Sequence, residues 1–153
     1  MTTTSLKQRL QDDLTSAIRS RDELRSATLR LTLTAITKQE VAGTTARQLS
    51  DDEVLKVIGQ EAKKRREAAE AFAQGGRTES AEREKAEGEV LAEYLPKQLT
   101  DEELAQIVRG AIAESGAEGP RAMGAVMKVV GPKVAGLAEG GRVAAEVKRQ
   151  LAG

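Results

Sequence analysis

The densest group of chemically active side chains in this sequence is a run of four cations: Lys63, Lys64, Arg65 and Arg66. The run, here called the quartet, lies in a stretch with helical periodicity, so its members fan around about one helical turn. Two explanations stay open. Glu67 and Glu70 follow Lys63 and Arg66 at a spacing of four, which lets a helix pair its own surface charges. Alternatively, the quartet binds an anion such as phosphate, which suits the arginine fork.

A second basic group lies near the end of the chain. Residues 120–153 contain six Lys or Arg but only two Asp or Glu, a net charge of +4, whereas residues 1–119 carry −4. We expect the main anion contacts here, at the C-terminal cations Lys128, Lys133, Arg142, Lys148 and Arg149. The quartet, together with Arg77 after the Gly-Gly pair, forms the predicted secondary basic patch. Met123, Val126, Met127 and Val130 recur at helical spacing, which predicts a buried face.

The residue types needed for most catalytic sites are missing. The sequence has no His and no Cys, which excludes a His or Cys nucleophile–base pair and a thiolate metal site. No glycine pattern follows a predicted strand, so neither a P-loop nor a dinucleotide-binding fingerprint is indicated. We therefore predict no catalytic residues, no metal, no cofactor and no independent enzyme activity.

The overall composition favours a helical cytoplasmic protein. Alanine and charged residues, which favour helix, dominate outside an aliphatic core, and the chain has one Phe, one Tyr and no Trp. The N-terminus shows no apolar segment typical of a signal peptide. No run approaches the ~20 apolar residues of a membrane span. We expect a soluble cytoplasmic protein without membrane contact.

The periodicity predicts an all-α fold of seven helices. In the second helix, Leu29, Leu33 and Ile36 form one apolar stripe, which Leu31 widens. Gly131 and Pro132 are expected to end the sixth helix at Val130. The predicted helices span residues 5–21, 22–41, 50–75, 78–94, 101–115, 120–130 and 141–151.

Two helix starts carry the same local signal. In "QLSDDEVL", Ser50 takes the N-cap position and Glu53 the N3 position, and in "QLTDEELA" Thr100 and Glu103 do the same. Each is a capping box, flanked by apolar residues at the positions of a hydrophobic staple. The likeness ends after about ten residues, so convergent capping explains it better than an internal repeat.

Pro96, which stops the fourth helix, marks the expected domain boundary. Residues 1–96 are predicted to form an antiparallel bundle of long helices. Residues 97–153 are predicted to form a small three-helix domain punctuated by glycine.

Three blocks in order, "AKKRREAAEAFAQGGR", "EGEVLAEYLPKQLTDEEL" and "MGAVMKVVGPKVAGLAEGGRVAAEVKRQL", resemble the GatB/YqeY family over nearly the whole chain. The "YLPKQL" and "MGAVMK" segments together are the specific part of the match. Members resemble the C-terminal tail of the B subunit of glutamine-dependent aspartyl/glutamyl-tRNA amidotransferase. The resemblance implies an all-helical, two-part fold and contact with tRNA. It also attaches a family label, carbon–nitrogen ligase with glutamine as amido donor, although the catalytic domain of that subunit has no counterpart here.

The sequence is compatible with three functions. The first is a non-catalytic tRNA-binding or amidotransferase-related accessory module, with tRNA or a translation-related protein as partner. The second is a helical protein–protein adaptor without RNA binding, which would use the long third and fourth helices as its platform. The third, a complete enzyme, has the weakest support. The scarcity of aromatic side chains argues against sequence-specific reading of single-stranded RNA, and the sequence leaves the oligomeric state open.

Overall fold

The computed structural model describes residues 4–116 and 118–152, and within them every regular element is helical. The prediction of an all-α fold is confirmed. A single turn of 3₁₀ helix, Pro120–Ala122, leads directly into α6. The α-helices are α1 Leu6–Arg19, α2 Glu23–Glu40, α3 Asp51–Gln74, α4 Thr78–Ala92, α5 Asp101–Ser115, α6 Met123–Val134 and α7 Gly140–Ala152.

The helices fall into two compact units, an N-terminal unit, Met1–Leu95, and a C-terminal unit, Pro96–Gly153. The N-terminal unit consists of two helical hairpins, α1 with α2 and α3 with α4. Lys7 near the start of α1 bonds Glu40 at the end of α2 at 2.8 Å, as antiparallel helices require. The shared core is aliphatic apart from one tyrosine and contains Leu10, Leu29, Ile36, Val54, Val57, Ile58, Val90, Leu91 and Tyr94.

The buried face of α2 is partly polar, which the apolar stripe did not predict. Thr28 and Thr32 are buried, and their hydroxyls donate to the carbonyls of Leu24 and Thr28 at 2.8 and 2.9 Å. These bonds satisfy the hydroxyls inside the core. The expected inclusion of Leu31 in the buried face was wrong, since Leu31 is 50% exposed.

Both predicted capping boxes are present. The Ser50 hydroxyl accepts from the backbone N–H of Glu53 at 3.2 Å, and the Glu53 carboxylate accepts from the N–H of Ser50 at 3.1 Å. Thr100 and Glu103 repeat the exchange at 3.1 and 2.9 Å. Each box satisfies two of the N–H groups that a helix start leaves without partners.

The C-terminal unit packs α5, α6 and α7 around a valine-rich core. Its buried members are Leu104, Val108, Ala111, Val126, Val130, Val134, Val143 and Val147. The backbone N–H of Leu99 donates to the carbonyl of Leu137 at 2.8 Å, which ties the segment before α5 to the turn after α6.

The predicted end of the sixth helix at Val130 was wrong, because α6 continues through Pro132 to Val134. The ring of a proline clashes with the Cβ atom of the preceding residue, which disfavours helix there. The residue before Pro132 is Gly131, which has no Cβ atom. Val134, only 3% exposed, adds a buried contact that favours the extra turn. None of the helices in the described ranges is both long and apolar enough to cross a membrane.

Candidate nucleic-acid interface

The C-terminal unit turns one side of α6 and α7 toward its core and the other toward solvent. Val126, Val130 and Val134 of α6 and Val143 and Val147 of α7 are buried. The exposed positions of these helices lie on the solvent side, where cations can meet a ligand.

Lys128 and Lys148 lie on this solvent side, on α6 and α7 respectively, and both are exposed. Within the described residues neither takes part in an ion pair or a side-chain hydrogen bond. A lysine in this state presents a hydrated point charge on a flexible stem, which suits contact with a phosphate oxygen.

The other three C-terminal cations are already paired. Lys133 bonds Glu114 of α5. The Arg142 guanidinium donates to Asp101 Oδ1 at 2.9 Å and to the carbonyl of Leu99 at 3.0 Å, so it supports the start of α5.

Arg149 binds Glu146 through two hydrogen bonds, of 2.8 and 2.5 Å. This arginine is the main reason that the pKa of Glu146 is lowered to about 2, and Gln150 contributes a further hydrogen bond. Glu146 therefore stays ionised at neutral pH, and Arg149 keeps an intramolecular partner.

Arg121 is a surface cation that was not predicted as a site residue. It lies in the 3₁₀ turn before α6, is exposed, and has no ion pair among residues 4–116 and 118–152. The signal that could have identified it is its spacing of seven from Lys128, which places both on one side of a helix.

The quartet on α3 is engaged within the N-terminal unit. Lys64 pairs with Glu61 at 3.0 Å and Lys63 with Glu67 at 3.9 Å. Arg66 is exposed and also has a partner within the molecule. The predicted Lys63–Glu67 pair is thus present, and the explanation by self-pairing gains direct geometric support.

Arg65 differs from the rest of the quartet because it points toward α4. Its side chain is 21% exposed and lies 3.5 Å from Glu84 and 3.3 Å from Glu87. Arg83 extends the network, binding Glu87 at 3.0 Å and Glu23 of α2 at 2.8 Å. Arg83 was not predicted from the sequence, because a bridge between helices depends on how the helices pack. Arg65 is therefore a packing residue of the helical hairpin.

Arg77, the last member of the predicted secondary patch, lies at the N-cap of α4. Its guanidinium sits over the ring of Phe72, 5.1 Å from the centroid. This cation–π contact closes the α3–α4 turn, in which Gly76 takes a positive φ of 77°.

A polar cleft of about 410 Å³ lies in the N-terminal unit beside the α1–α2 turn. Its charged groups bind one another: Tyr94 donates to Asp13, and Arg25 donates to Glu93 at 2.7 Å. Burial, followed by the bond to Asp13, raises the pKa of Tyr94 well above its usual range. No cluster of three or more potential metal ligands occurs in the described part of the chain.

Comparison with protein families identifies a relationship over most of the chain. A family model described as a YqeY-like protein covers residues 7–151, nearly the full chain. No curated protein matches the sequence.

Proposed function

Because the chain belongs to the family of YqeY-like proteins, we propose that it is a non-catalytic module that binds structured RNA of the tRNA class. In this role it serves as an accessory to tRNA-dependent amide transfer. The observation that carries the proposal is the exposed, unpaired state of Lys128 and Lys148 among the described residues, in a segment poor in carboxylates.

The charge distribution supports phosphate as the ligand. Phosphate contacts supply most of the affinity in non-specific nucleic-acid binding, because each contact releases condensed counterions. Lys133, Arg142 and Arg149 form ion pairs at the surface, which contribute about 0–1 kcal/mol each. While these pairs persist, the three cations are held by carboxylates, so we expect the phosphate contacts to fall mainly to the unpaired lysines.

No bond-making step is assigned to this chain. It contains neither His nor Cys, the usual residues for general-base and thiolate chemistry. We expect the purified protein to show no amidotransfer, ATP hydrolysis or kinase activity. Activity that copurifies with the protein and disappears on a point substitution would contradict this assignment.

A protein-binding adaptor is the second candidate. Ile18, Leu31 and Val41 of the N-terminal unit are each about half exposed, at 48, 50 and 57%. Exposed apolar side chains favour protein contact when they form a patch, but single ones are common on protein surfaces. The candidate therefore has weaker support than RNA binding.

Binding of purified tRNA to the full chain over a salt series tests the proposal. We expect weak binding whose affinity falls with salt at a slope of roughly −0.7 to −0.9 per phosphate contact. With about two to four contacts, a fourfold rise in salt weakens binding by roughly an order of magnitude or more. Undetectable binding at low salt, or a flat slope, would overturn the RNA proposal in favour of the adaptor.

A further inference from the structure

We infer that the RNA partner is a base-paired stem, and that α6 lies along its phosphodiester backbone with Arg121 and Lys128 as the first contacts. The inference rests on the proposed function and specifies both the class of RNA and the helix that meets it.

The exposure pattern defines one outward face of α6 and the turn before it. Arg121, Gly124, Ala125, Lys128 and Pro132 are exposed and follow one another at helical spacing. We call this set the α6 face. Its two long side chains are both cations, and the side chains between them are short.

The α6 face lies in a stretch without negative charge. No Asp or Glu occurs between Glu118 and Glu139, and Glu114 of α5 is already paired with Lys133. Arg121 and Lys128 have no ion pair within the residues that the structure describes. The face is therefore complementary in charge to a polyanion, and binding there breaks no intramolecular ion pair.

The spacing of the two cations suits a continuous backbone. Arg121 lies in the 3₁₀ turn and Lys128 in α6, so their separation of seven residues corresponds to roughly 10–12 Å along the axis. Two cations at this separation meet two points of one phosphodiester strand. The arginine fork adds bidentate contact with a phosphate, which lysine lacks.

The absence of aromatic residues decides between stem and single strand. Residues 97–153 contain no Phe, Tyr, Trp or His. Single-stranded RNA is held mainly by bases stacked on aromatic side chains, whereas duplex RNA is recognised through its shape, phosphates and 2′-hydroxyls. The C-terminal unit thus has cations that can contact the phosphates of a duplex, and it has no aromatic ring on which single-stranded bases could stack.

The experiment compares three labelled probes of equal length on the full chain: an RNA hairpin stem, an RNA strand that cannot pair, and a DNA duplex with the sequence of the stem. Total tRNA serves as the reference. We expect the RNA stem to bind more tightly than the unpaired strand, whose bases find no aromatic side chain on which to stack. We also expect it to bind more tightly than the DNA duplex, because the A-form shape and the 2′-hydroxyls are recognised.

Arg121→Gln should weaken stem binding and lower the magnitude of the salt slope by about one. Arg30→Gln is the matched control, because Arg30 is an exposed arginine of α2 without an ion pair in the described ranges. Lys128→Gln provides a second test of the same face, and circular dichroism checks that each variant keeps its helix content.

Three outcomes would contradict, respectively, the class of RNA, the contact surface and the proposed function. If the unpaired strand binds as tightly as the RNA stem, the assignment to a stem is wrong. If Arg121→Gln and Lys128→Gln both behave like Arg30→Gln while wild-type binding persists, the α6 face is not the contact surface. If no probe binds at low salt, tRNA included, the proposed function itself falls.

Discussion

The quartet and the C-terminal cations show that positive charge in a sequence and positive charge available to a ligand are different properties. The quartet is the denser group, yet Lys63, Lys64 and Arg65 all have carboxylate partners, because α3 and α4 are rich in glutamate. Lys128 and Lys148 do not belong to a dense run of cations, and both are exposed without carboxylate partners in the described parts of the chain. Local carboxylate supply, more than cation density, decides which group can meet a polyanion.

The comparison also separates two uses of arginine. Arg65 is largely buried and holds two helices of the N-terminal unit together through Glu84 and Glu87. Arg121 is exposed, and no described carboxylate pairs with it. The first arginine should matter for stability and the second for binding.

The largest effect on stability is expected at Arg65. Arg65→Ala leaves Glu84 and Glu87 largely buried without this partner, and should lower the free energy of unfolding by about 1.5–3 kcal/mol, the range for charged hydrogen bonds. Urea unfolding followed by circular dichroism measures the change. The control is Lys63→Ala, whose exposed pair with Glu67 contributes about 0.2–0.5 kcal/mol. Equal losses in the two variants would contradict the packing role of Arg65.

The two capping boxes should contribute equally in the two units. Thr100→Ala removes the acceptor for the N–H of Glu103 and should destabilise the C-terminal unit by about 0.5–2 kcal/mol. Ser50→Ala should have an effect of the same size in the N-terminal unit, since its geometry is the same. An unchanged denaturation midpoint in either variant would show that the corresponding cap does not stabilise its helix.

Acid should distinguish the two capping glutamates. Hydrogen bonds from Arg47 are the main reason that the pKa of Glu53 is lowered from 4.5 to about 2. Its ionised form therefore contributes stability that is fully present above pH 4.5 and is lost as the pH falls toward 2. Glu53→Gln keeps a capping side chain but removes the titrating carboxyl group. The stability of this variant should therefore fall less than that of the wild-type protein between pH 4.5 and 2.

The matched variant is Glu103→Gln. The pKa of Glu103 is also lowered, chiefly by the backbone N–H of Thr100, and no arginine contributes. This substitution should therefore change the acid profile less than Glu53→Gln does. Urea unfolding repeated across this pH range measures the stability of both variants. A larger change in Glu103→Gln than in Glu53→Gln would show that the acid-sensitive group lies in the C-terminal unit and would contradict this prediction.

The helix starts could be predicted from short sequence patterns, whereas the contacts between helices could not. Ser50 and Thr100 were identified as caps because a capping box lies within four residues. The end of α6 was misplaced because Pro132 was treated as a stop, although Gly131 before it and the buried Val134 after it favour helix.

The candidate interface was predictable to a similar extent. The excess of cations over residues 120–153 is a property of composition and is therefore visible in the sequence alone. Which cations are paired depends on packing: Lys133 meets Glu114, nineteen residues earlier, and Arg142 meets Asp101, forty-one residues earlier. Arg65 was grouped with the quartet because its partners on α4 are distant in sequence.

Releasing a paired cation should strengthen RNA binding by a small amount. Glu146→Gln frees Arg149 and removes one negative charge, so affinity should rise and the salt slope should steepen by about 0.7–0.9. Glu67→Gln makes the same change in charge beside Lys63 of the quartet and should leave binding unaltered. Equal gains in the two variants would mean that binding follows net charge alone.

The most direct test of the account compares two double variants that each remove two positive charges. Lys128→Gln with Lys148→Gln should reduce the magnitude of the salt slope for tRNA binding by about one to two. Lys63→Gln with Lys64→Gln should leave the slope at the wild-type value, because both lysines already have carboxylate partners. If the Lys63 and Lys64 variant loses more of the slope, the quartet is the RNA-binding surface, and the assignment to the C-terminal unit is wrong.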